Sequence, residues 1–268
     1  TFISPAPPLP FHFFFFLLIR RSSRSTLVSS SAASDVYKRE ANYAFGGADR
    51  TITTTGVLTI QPDADENSFA SSFDNQYLNP VNVTGLTLGK SSNASAITLS
   101  RAISLSGPVS IYGGSIDVNA NITANSGNIL LDADTGSTLN QSSTGILLDD
   151  AITIETVTSG NLTLIGRSGD TGSGFDGIDA SSANTTTLRS AGNLTLQGYS
   201  YAASGSGRGV DLNNDVIAAS GTVSMTGQHN TGATYALSLS GSTSITAGTG
   251  VTLSLIHLSE PTRRRGIA

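Results

Sequence analysis

The sequence predicts an all-β fold, a right-handed parallel β-helix (β-solenoid) with about three short strands in each coil. One short phrase occurs four times, with its first apolar residue at Ile129, Leu162, Leu194 and Val223. These residues are 33, 32 and 29 positions apart, and a fifth copy begins at Val251, 28 positions further on. A period of about 20 to 50 residues is typical of solenoids, whose units bury their apolar faces against one another. Because each phrase alternates apolar and polar residues, the repeated unit is a strand.

The first coils carry the alternation at short spacing. Strands are predicted at Thr51–Thr53 and Val57–Ile60, whereas the polar stretch 61–81 predicts a loop or a protruding insertion. Further apolar pairs follow, mostly six or seven residues apart after Ile97, with turn residues such as Gly107-Pro108 between them. This spacing predicts a triangular coil with tight corners. The predicted strands contain Leu86/Leu88, Ile97/Leu99, Ile103/Leu105, Val109/Ile111, Ile116/Val118, Ile122 and Ile129/Leu131.

The later coils align end to end from Ser159 onwards. Each has a first strand followed by a glycine, then a loop of variable sequence, and then two further short strands. The variable loops are Arg167–Asp176, Tyr199–Arg208 and Gln228–Thr234. The second strands contain Ile178, Val210/Leu212 and Leu237/Leu239, and the third strands contain Leu188, Val216/Ile217 and Ile245. Crossovers between parallel strands are overwhelmingly right-handed, which sets the predicted hand.

The repeated phrase predicts which residues face inwards. In a strand, residues two positions apart lie on one face, so both apolar residues of each phrase are expected inside. The period then stacks them on their counterparts in the next coil. The residues predicted to be buried are Ile129, Leu131, Leu162, Leu164, Leu194, Leu196, Val223 and Met225.

Two segments near the ends of the chain resemble translated sequencing adapters. Ser29–Arg39 resembles one transposase-type adapter, and Leu253–Arg263 resembles the other read in reverse complement. The finding of both in one chain indicates read-through during sequence assembly. Segments of this origin are excluded from fold reasoning.

The pattern of the apolar run Phe11–Ile19 does not predict a targeting signal. Its arginines follow the run, whereas a secretory signal has them before it, and a membrane span needs about 20 apolar residues. We therefore expect residues 1–40 and 253–268 to lie outside the fold. Residues 41–252 are the predicted solenoid, an internal fragment whose open coil ends are expected to self-associate.

Composition excludes several classes of function. The formal net charge is −5, but residues 41–252 contain 6 basic and 16 acidic residues, a net charge of −10. Nucleic-acid binding requires a basic face, so nucleic acid is excluded as a partner. The chain contains no cysteine, which excludes thiol chemistry, cysteine-based zinc sites and disulfides.

Four consecutive stretches resemble large bacterial exoproteins of the filamentous haemagglutinin type. They are Gly85–Ser92, Ala102–Gly114, Ile116–Ile122 and Ser126–Leu131. The resemblance extends over nearly all of the predicted solenoid. It implies a very large secreted or cell-surface protein, often exported by a dedicated partner, that acts as an adhesin towards host or neighbouring-cell glycans or proteins.

Two alternatives to an adhesin remain open. One is a passive structural spacer within a giant exoprotein. The other is a polysaccharide lyase or hydrolase built on a β-helix, which would need clustered carboxylates with Arg or Lys on one face, or a spaced carboxylate pair. The six basic residues of 41–252 are spread over different coils and the acidic residues are predicted in loops, so we do not expect an enzyme.

Calcium is the one metal for which the sequence offers candidate ligands. The glycine-rich stretch Gly169–Asp179 places Asp170, Asp176 and Asp179 in a turn-rich segment, and calcium-binding β-rolls use such segments. Only one copy is present, so an ordinary turn-rich loop is the main expectation, with no cofactor. The acidic segment Asp63–Asn67 lacks the glycine and flanking helices of an EF-hand and predicts a solvated loop.

The variable loops are the predicted location of ligand binding. A rigid scaffold can vary its loops without disturbing its core, and the three loops are expected to project from one edge. Aromatic capping of the loop ends against the coil is the alternative. His229 has no acidic or nucleophilic neighbour in sequence, so it predicts a loop histidine and not a general base. The candidate ligand-contacting residues are Arg167, Phe175, Tyr199, Tyr201, Arg208, His229 and Tyr235.

Overall fold

The computed structural model describes residues 36–39, 49–62, 66–133, 143–149, 151–180, 184–202, 205–229 and 235–257. Every regular element among them is a strand. Within these ranges no helix is long and apolar enough to cross a membrane. The run Phe11–Ile19 and residues 63–65 of the acidic segment lie outside the described residues.

Three parallel sheets form the solenoid, and successive coils add strands to them in turn. The first sheet contains β1 (Val36–Arg39), β3 (Val57–Gln61), β6 (Gly85–Leu88), β9 (Val109–Gly113), β12 (Ile129–Ala133), β15 (Leu162–Arg167), β18 (Leu194–Ser200), β21 (Thr222–His229) and β24 (Gly250–His257). The second sheet contains β4 (Phe73–Asp74), β7 (Ile97–Leu99), β10 (Ile116–Val118), β13 (Ile146–Leu148), β16 (Ile178–Ala180), β19 (Val210–Asn213) and β22 (Leu237–Ser240). The third sheet contains β8 (Ile103–Leu105), β11 (Ile122–Ala124), β14 (Thr153–Thr156), β17 (Thr187–Ser190), β20 (Val216–Ala219) and β23 (Ser244–Ala247). β2 (Arg50–Thr53) and β5 (Leu78–Val81) form a separate parallel pair.

The core consists of apolar columns that run along the solenoid. In the first sheet, Ile129, Leu162, Leu194 and Val223 lie in register on successive strands, about 4.8 Å apart. Many strands of the described repeats alternate buried and outward positions, as the seven residues of β18 illustrate. The inward orientation predicted for the eight residues of the phrase is confirmed, because all of them are fully buried.

One corner of the coil is held by a column of asparagine side chains. The Oδ1 atom of Asn128 accepts the N–H of Asn161 at 2.9 Å, and Oδ1 of Asn161 accepts the N–H of Asn193 at 2.8 Å. Oδ1 of Asn193 continues the series by accepting the N–H of Thr222 at 2.9 Å. Gly160 has a φ of 111° here, and a Cβ on it would lie 1.9 Å from a carbonyl oxygen of the preceding coil. Each corner therefore rests directly on the one before it.

The prediction of a loop or insertion over residues 61–81 is wrong for the part that forms β4 and β5, whereas residues 66–72 contain no strand. Phe69, Phe73 and Leu78 are buried, and the two phenyl rings stack with centroids 5.4 Å apart. β4 joins the second sheet and β5 pairs with β2. The aromatic residues fill the interior through ring packing at a corner, so the period-two alternation that marks a strand is missing.

The terminal strands extend beyond the predicted limits of the solenoid. β1 lies within residues 1–40 and pairs with β3, and β24 continues to His257, past residue 252. Val251 and Leu253 continue the inward columns, but each is 48% exposed because β24 is the outermost strand of its sheet. Self-association through such an end stays a prediction.

Replacing Leu194 by aspartate tests the column packing. An unpaired carboxylate buried in the apolar column is expected to lower stability by on the order of several kcal/mol, and the Tm by on the order of 10 °C. The matched control is Thr195→Asp, which places the same charge on the outward face of the same strand. Thermal unfolding followed by circular dichroism measures both, and equal Tm values for the two variants would contradict the assigned register.

Candidate functional site

Two facing columns of glycine form the base of the variable loops. Gly166 and Gly198 lie near the ends of first-sheet strands, and Gly177 and Gly209 immediately precede second-sheet strands. A Cβ on Gly166 would lie 2.0 Å from the Gly177 carbonyl oxygen, and one on Gly198 would lie 1.8 Å from that of Gly209. The outgoing and returning chains therefore touch backbone to backbone. The residues between them have to project outwards.

The loops of two successive coils are tied to each other. We call residues 168–176 the first loop and residues 201–208 the second loop. The hydroxyl of Ser168 accepts the N–H of Tyr201 at 2.9 Å, and the hydroxyl of Ser200 donates to the Phe175 carbonyl at 2.8 Å. The loops thus stack on one edge of the solenoid, which we call the loop edge. Residues 203–204 of the second loop and residues 230–234 of the third loop lie outside the described residues.

Arg167 and Tyr199 are neighbours on the outward face of the first sheet, beside the loop edge. They are paired in register on β15 and β18, and the Arg167 guanidinium lies 5.4 Å from the centroid of the Tyr199 ring. Nη1 of Arg167 also lies 3.3 Å from Oδ1 of Asp132. Burial raises the pKa of Asp132, and the charge of Arg167 opposes that rise. The arginine thus connects a carboxylate on one side with an aromatic ring on the other.

The other predicted ligand-contacting residues differ widely in accessibility. Tyr235 is 59% exposed, whereas Phe175 and Tyr201 are half-buried. His229 is only 3% exposed and lies at the end of β21, in register with Ser200. Its imidazole belongs to the interior of the coil and is not presented at the surface of the loop edge.

The second side of the loop edge carries a cluster of carboxylates. Oxygens of Asp176, Asp179 and Asp211 all lie within 4.8 Å of one another. Asp179 and Asp211 are outward residues paired in register on β16 and β19. The Arg208 guanidinium contacts Asp211, and the Arg208 N–H donates to Oδ1 of Asp176. Acidic residues of two successive coils and one basic residue, Arg208, thus meet on one face.

This arrangement groups some of the predicted residues and adds one that sequence reasoning missed. Asp176 and Asp179 lie together as the calcium prediction requires. Asp170 is not a member of the cluster, and its buried Oδ1 accepts no hydrogen bond from the described residues. Asp211 was not predicted. It follows Asp179 by one coil period of 32 residues, so adding the period to each candidate acid would have identified it.

Burial controls the ionisation of two carboxyl groups near this edge. Desolvation raises the pKa of Asp176 to about 7. The hydrogen bond from the N–H of Arg208 stabilises the ionised form and opposes this rise, whereas the negative charges of Asp179 and Asp211 add to it. Asp215 is fully buried and accepts the N–H groups of Thr186 at 3.0 Å and Asn213 at 2.9 Å. Desolvation still raises its pKa to about 6.

The cluster has the donor type for a hard cation but a limited donor number. Calcium takes about six to eight oxygen ligands, and the three carboxylates are already accompanied by the positive charge of Arg208. Calcium binding at Asp176 and Asp179 stays a prediction.

A separate cavity of about 510 Å³ lies in the first coils. It is lined by Thr55, Pro80, Asn82, Val83, Ser104, Leu105 and Ser106. None of the predicted site residues lines it.

The glycine columns yield a direct test of how the loops are held. Gly198→Ala forces a methyl group into the Gly209 carbonyl and is expected to cost about 2 kcal/mol or more. Gly250→Ala is the matched control, since a Cβ there meets no atom within 4 Å. Urea unfolding of both variants measures the difference. Equal stability of the two would show that the chains at the loop base are not in contact.

Comparisons of the chain with family models, with curated proteins and with solved structures found no match.

Proposed function

We propose that this chain is part of the shaft of a large bacterial surface adhesin, secreted or held at the cell surface, whose loop edge attaches to a partner cell. The observation that carries the proposal is the stacking of two loops of different sequence on one edge of a uniform solenoid. The residues of the inward columns are buried in the core. The loops are therefore the part of each coil that can acquire a binding role.

The chemistry of the loop edge favours a glycan or a protein surface as ligand. Phe175, Tyr199, Tyr201 and Tyr235 supply aromatic surface with a polar tip on three of the four rings, which suits contacts with partly apolar, partly hydroxylated partners. Arg167 adds a cation held in place by Tyr199 and Asp132. A site of this kind is open and extended, as binding to a surface polymer or another protein requires.

The alternative to an adhesin that would have the same fold is a passive spacer. A spacer would need the apolar columns and the corners but would place no demand on its outward residues. Tyr235, with more than half of its surface exposed, has no role in the core of the described coils. An exposed aromatic residue on the loop edge is therefore the feature that favours a binding role.

Binding by the loop edge can be tested with surface substitutions that spare the fold. Tyr201→Ser combined with Tyr235→Ser is expected to reduce adhesion to cells or to a glycan array at least about tenfold, because a buried aromatic anchor contributes on the order of 1–3 kcal/mol to binding. The control combines Tyr112→Ser with Val157→Ser, which removes outward apolar groups away from the loops. Adhesion of the loop variant at the level of the control would leave the spacer as the better description.

An enzyme acting on polysaccharide is the second candidate, and the carboxylate cluster is the observation that favours it. Three carboxylates and an arginine on one outward face meet the requirement stated for such an enzyme. Against it, Asp176 and Asp211 are both buried beneath the loops, so a polymer would reach only Asp179 and Arg208. Incubation of the protein with acidic polysaccharides and calcium tests for this enzymatic activity. We expect no release of unsaturated or reducing ends, and release abolished by Arg208→Lys would establish the enzyme.

A further inference from the structure

We propose that the gap between β5 and β8 is a binding cleft for a neutral saccharide. This gap, which we call the third-sheet cleft, is the cavity of about 510 Å³ in the first coils, and its walls come from the ends of both strands. The loop edge lies between the first and second sheets of later coils. The third-sheet cleft is therefore a separate site, beyond the adhesive role proposed for the loop edge.

The cleft exists because the third side of the solenoid is interrupted at one step. β3 pairs with β6 and β4 pairs with β7, so the first and second sheets continue through these two coils. β5 and β8 occupy the corresponding places on the third side, yet β5 pairs with β2 and β8 pairs with β11. The facing edges of β5 and β8 form no ladder with each other, and they border the cavity.

Contacts between the two coils close the cleft at both of its ends. At one end, Oδ1 of Asn75 accepts the N–H of Arg101 at 2.9 Å, and Nδ2 of Asn75 donates to the Arg101 carbonyl at 2.9 Å. At the other end, a Cβ on Gly107 would lie 2.1 Å from the Thr84 carbonyl oxygen. Between these contacts the first coil has eight residues and the second has five. The additional residues let β5 bow away from β8.

Backbone groups of both strands face the third-sheet cleft. The Val81 carbonyl accepts an N–H from the preceding coil at 3.2 Å, so the neighbouring Pro80 faces β8. A proline has no N–H to donate, which prevents a regular ladder at this position. The Leu105 carbonyl accepts an N–H from the following coil at 2.8 Å, so the peptide groups of Ser104 face the cleft from the other side.

The mouth of the cleft carries polar side chains above an apolar floor. Three hydroxyl groups and one amide are exposed there, and within the described part of the chain none of them makes a hydrogen bond. These side chains belong to Thr55, Ser104, Ser106 and Asn82. Val83 and Leu105 form the floor with 4% and 7% of their surface exposed, whereas Ala124, the counterpart of Leu105 in the next coil, is fully buried. The cleft thus reaches down to the core.

The lining favours a small, neutral ligand with several hydroxyl groups. None of the described residues that line the cleft is ionisable, and the net charge of −10 on residues 41–252 repels anions. Hydroxyl and amide groups both donate and accept hydrogen bonds, so they can pair with the hydroxyl groups of a sugar. The apolar floor can contact the C–H groups of a sugar ring. The volume lies within the range of about 300–1,000 Å³ that is typical of ligand pockets.

An extended peptide is the other ligand that an unpaired strand edge can bind. A peptide strand in this gap would run along β8 and would have to leave it at both ends. The contact of Asn75 with Arg101 and the contact of Gly107 with Thr84 block those exits. Pro80 also offers no N–H to such a strand. A compact saccharide therefore fits the third-sheet cleft better than a peptide does.

Saturation-transfer difference NMR on the whole chain tests the proposal. The probes are the neutral disaccharides cellobiose, maltose and lactose, together with digalacturonic acid and the peptide Val-Thr-Val-Thr. We expect at least one neutral disaccharide to bind, and neither the acid nor the peptide to do so. Absence of binding by all three neutral disaccharides would overturn the proposal. Binding of the acid or the peptide that equals or exceeds that of the neutral disaccharides would also overturn it.

Substitutions at the mouth assign the binding to the third-sheet cleft. Ser104→Val combined with Asn82→Gly removes two polar side chains, and glycine retains the left-handed backbone that Asn82 adopts at a φ of 58°. Binding is expected to weaken about tenfold or more through the loss of two hydrogen bonds. The matched control is Thr123→Val, which lies in register with Ser104 one coil beyond the cleft and should bind like the unsubstituted protein. Unchanged binding in the double variant, or equal loss in the control, would contradict the assignment.

Ser104→Val alone keeps the test decisive if the double variant does not fold. This outward substitution introduces a good strand former, and circular dichroism verifies the fold. Binding should weaken about threefold or more, because one hydrogen bond is lost. A folded Ser104→Val variant that binds the disaccharide at full strength would overturn the proposal. Adhesion through the loop edge is measured in its own assay, so the two proposals fail separately.

Discussion

The structure depends on one constraint, the stacking of each coil on the previous one at the spacing of a parallel β-ladder, about 4.8 Å. At this distance the inward residues must be apolar and of similar size, as the column through Leu162, Leu194 and Val223 shows. The corners cannot accept a side chain where two backbones meet. Gly160 at the asparagine corner and Gly198 at the loop base satisfy that condition, since a Cβ on either would collide with a carbonyl oxygen.

Stacking in register also decides which outward residues become neighbours. A residue contacts its counterpart one coil away, whatever lies between them in sequence. This rule brings Arg167 onto the ring of Tyr199 and places Asp179 beside Asp211. The length of the repeat varies, but residues about 30 positions apart still become neighbours on the outward face. Such pairs therefore set the chemistry of the outward columns. In a solenoid these columns and the loops are the surfaces on which binding can evolve without disturbing the core.

The same rule brings acidic residues of adjacent coils near one another. On the outward face of the second sheet, burial raises the pKa of Asp117, the hydrogen bond to Asn119 opposes that rise, and the charges of Asp149 and Asp74 add to it. At the loop edge the effect is larger because the loops cover the carboxyl groups. Arg208 offsets part of the repulsion through its contact with Asp211.

The sequence by itself determined the parallel solenoid, its three strands per coil, the inward residues of the repeated phrase and the coils from which loops project. Period and alternation are properties of the chain, and they report directly on which face of a strand is buried. Only the tertiary structure decided that Phe69 and Phe73 fill a corner, that His229 is buried while Tyr235 is exposed, and that Asp176 joins Asp179 and Asp211 in one cluster. Those outcomes depend on the register between coils and on how the loops fold over the edge. Both arise from contacts between residues distant in sequence, which no local pattern encodes.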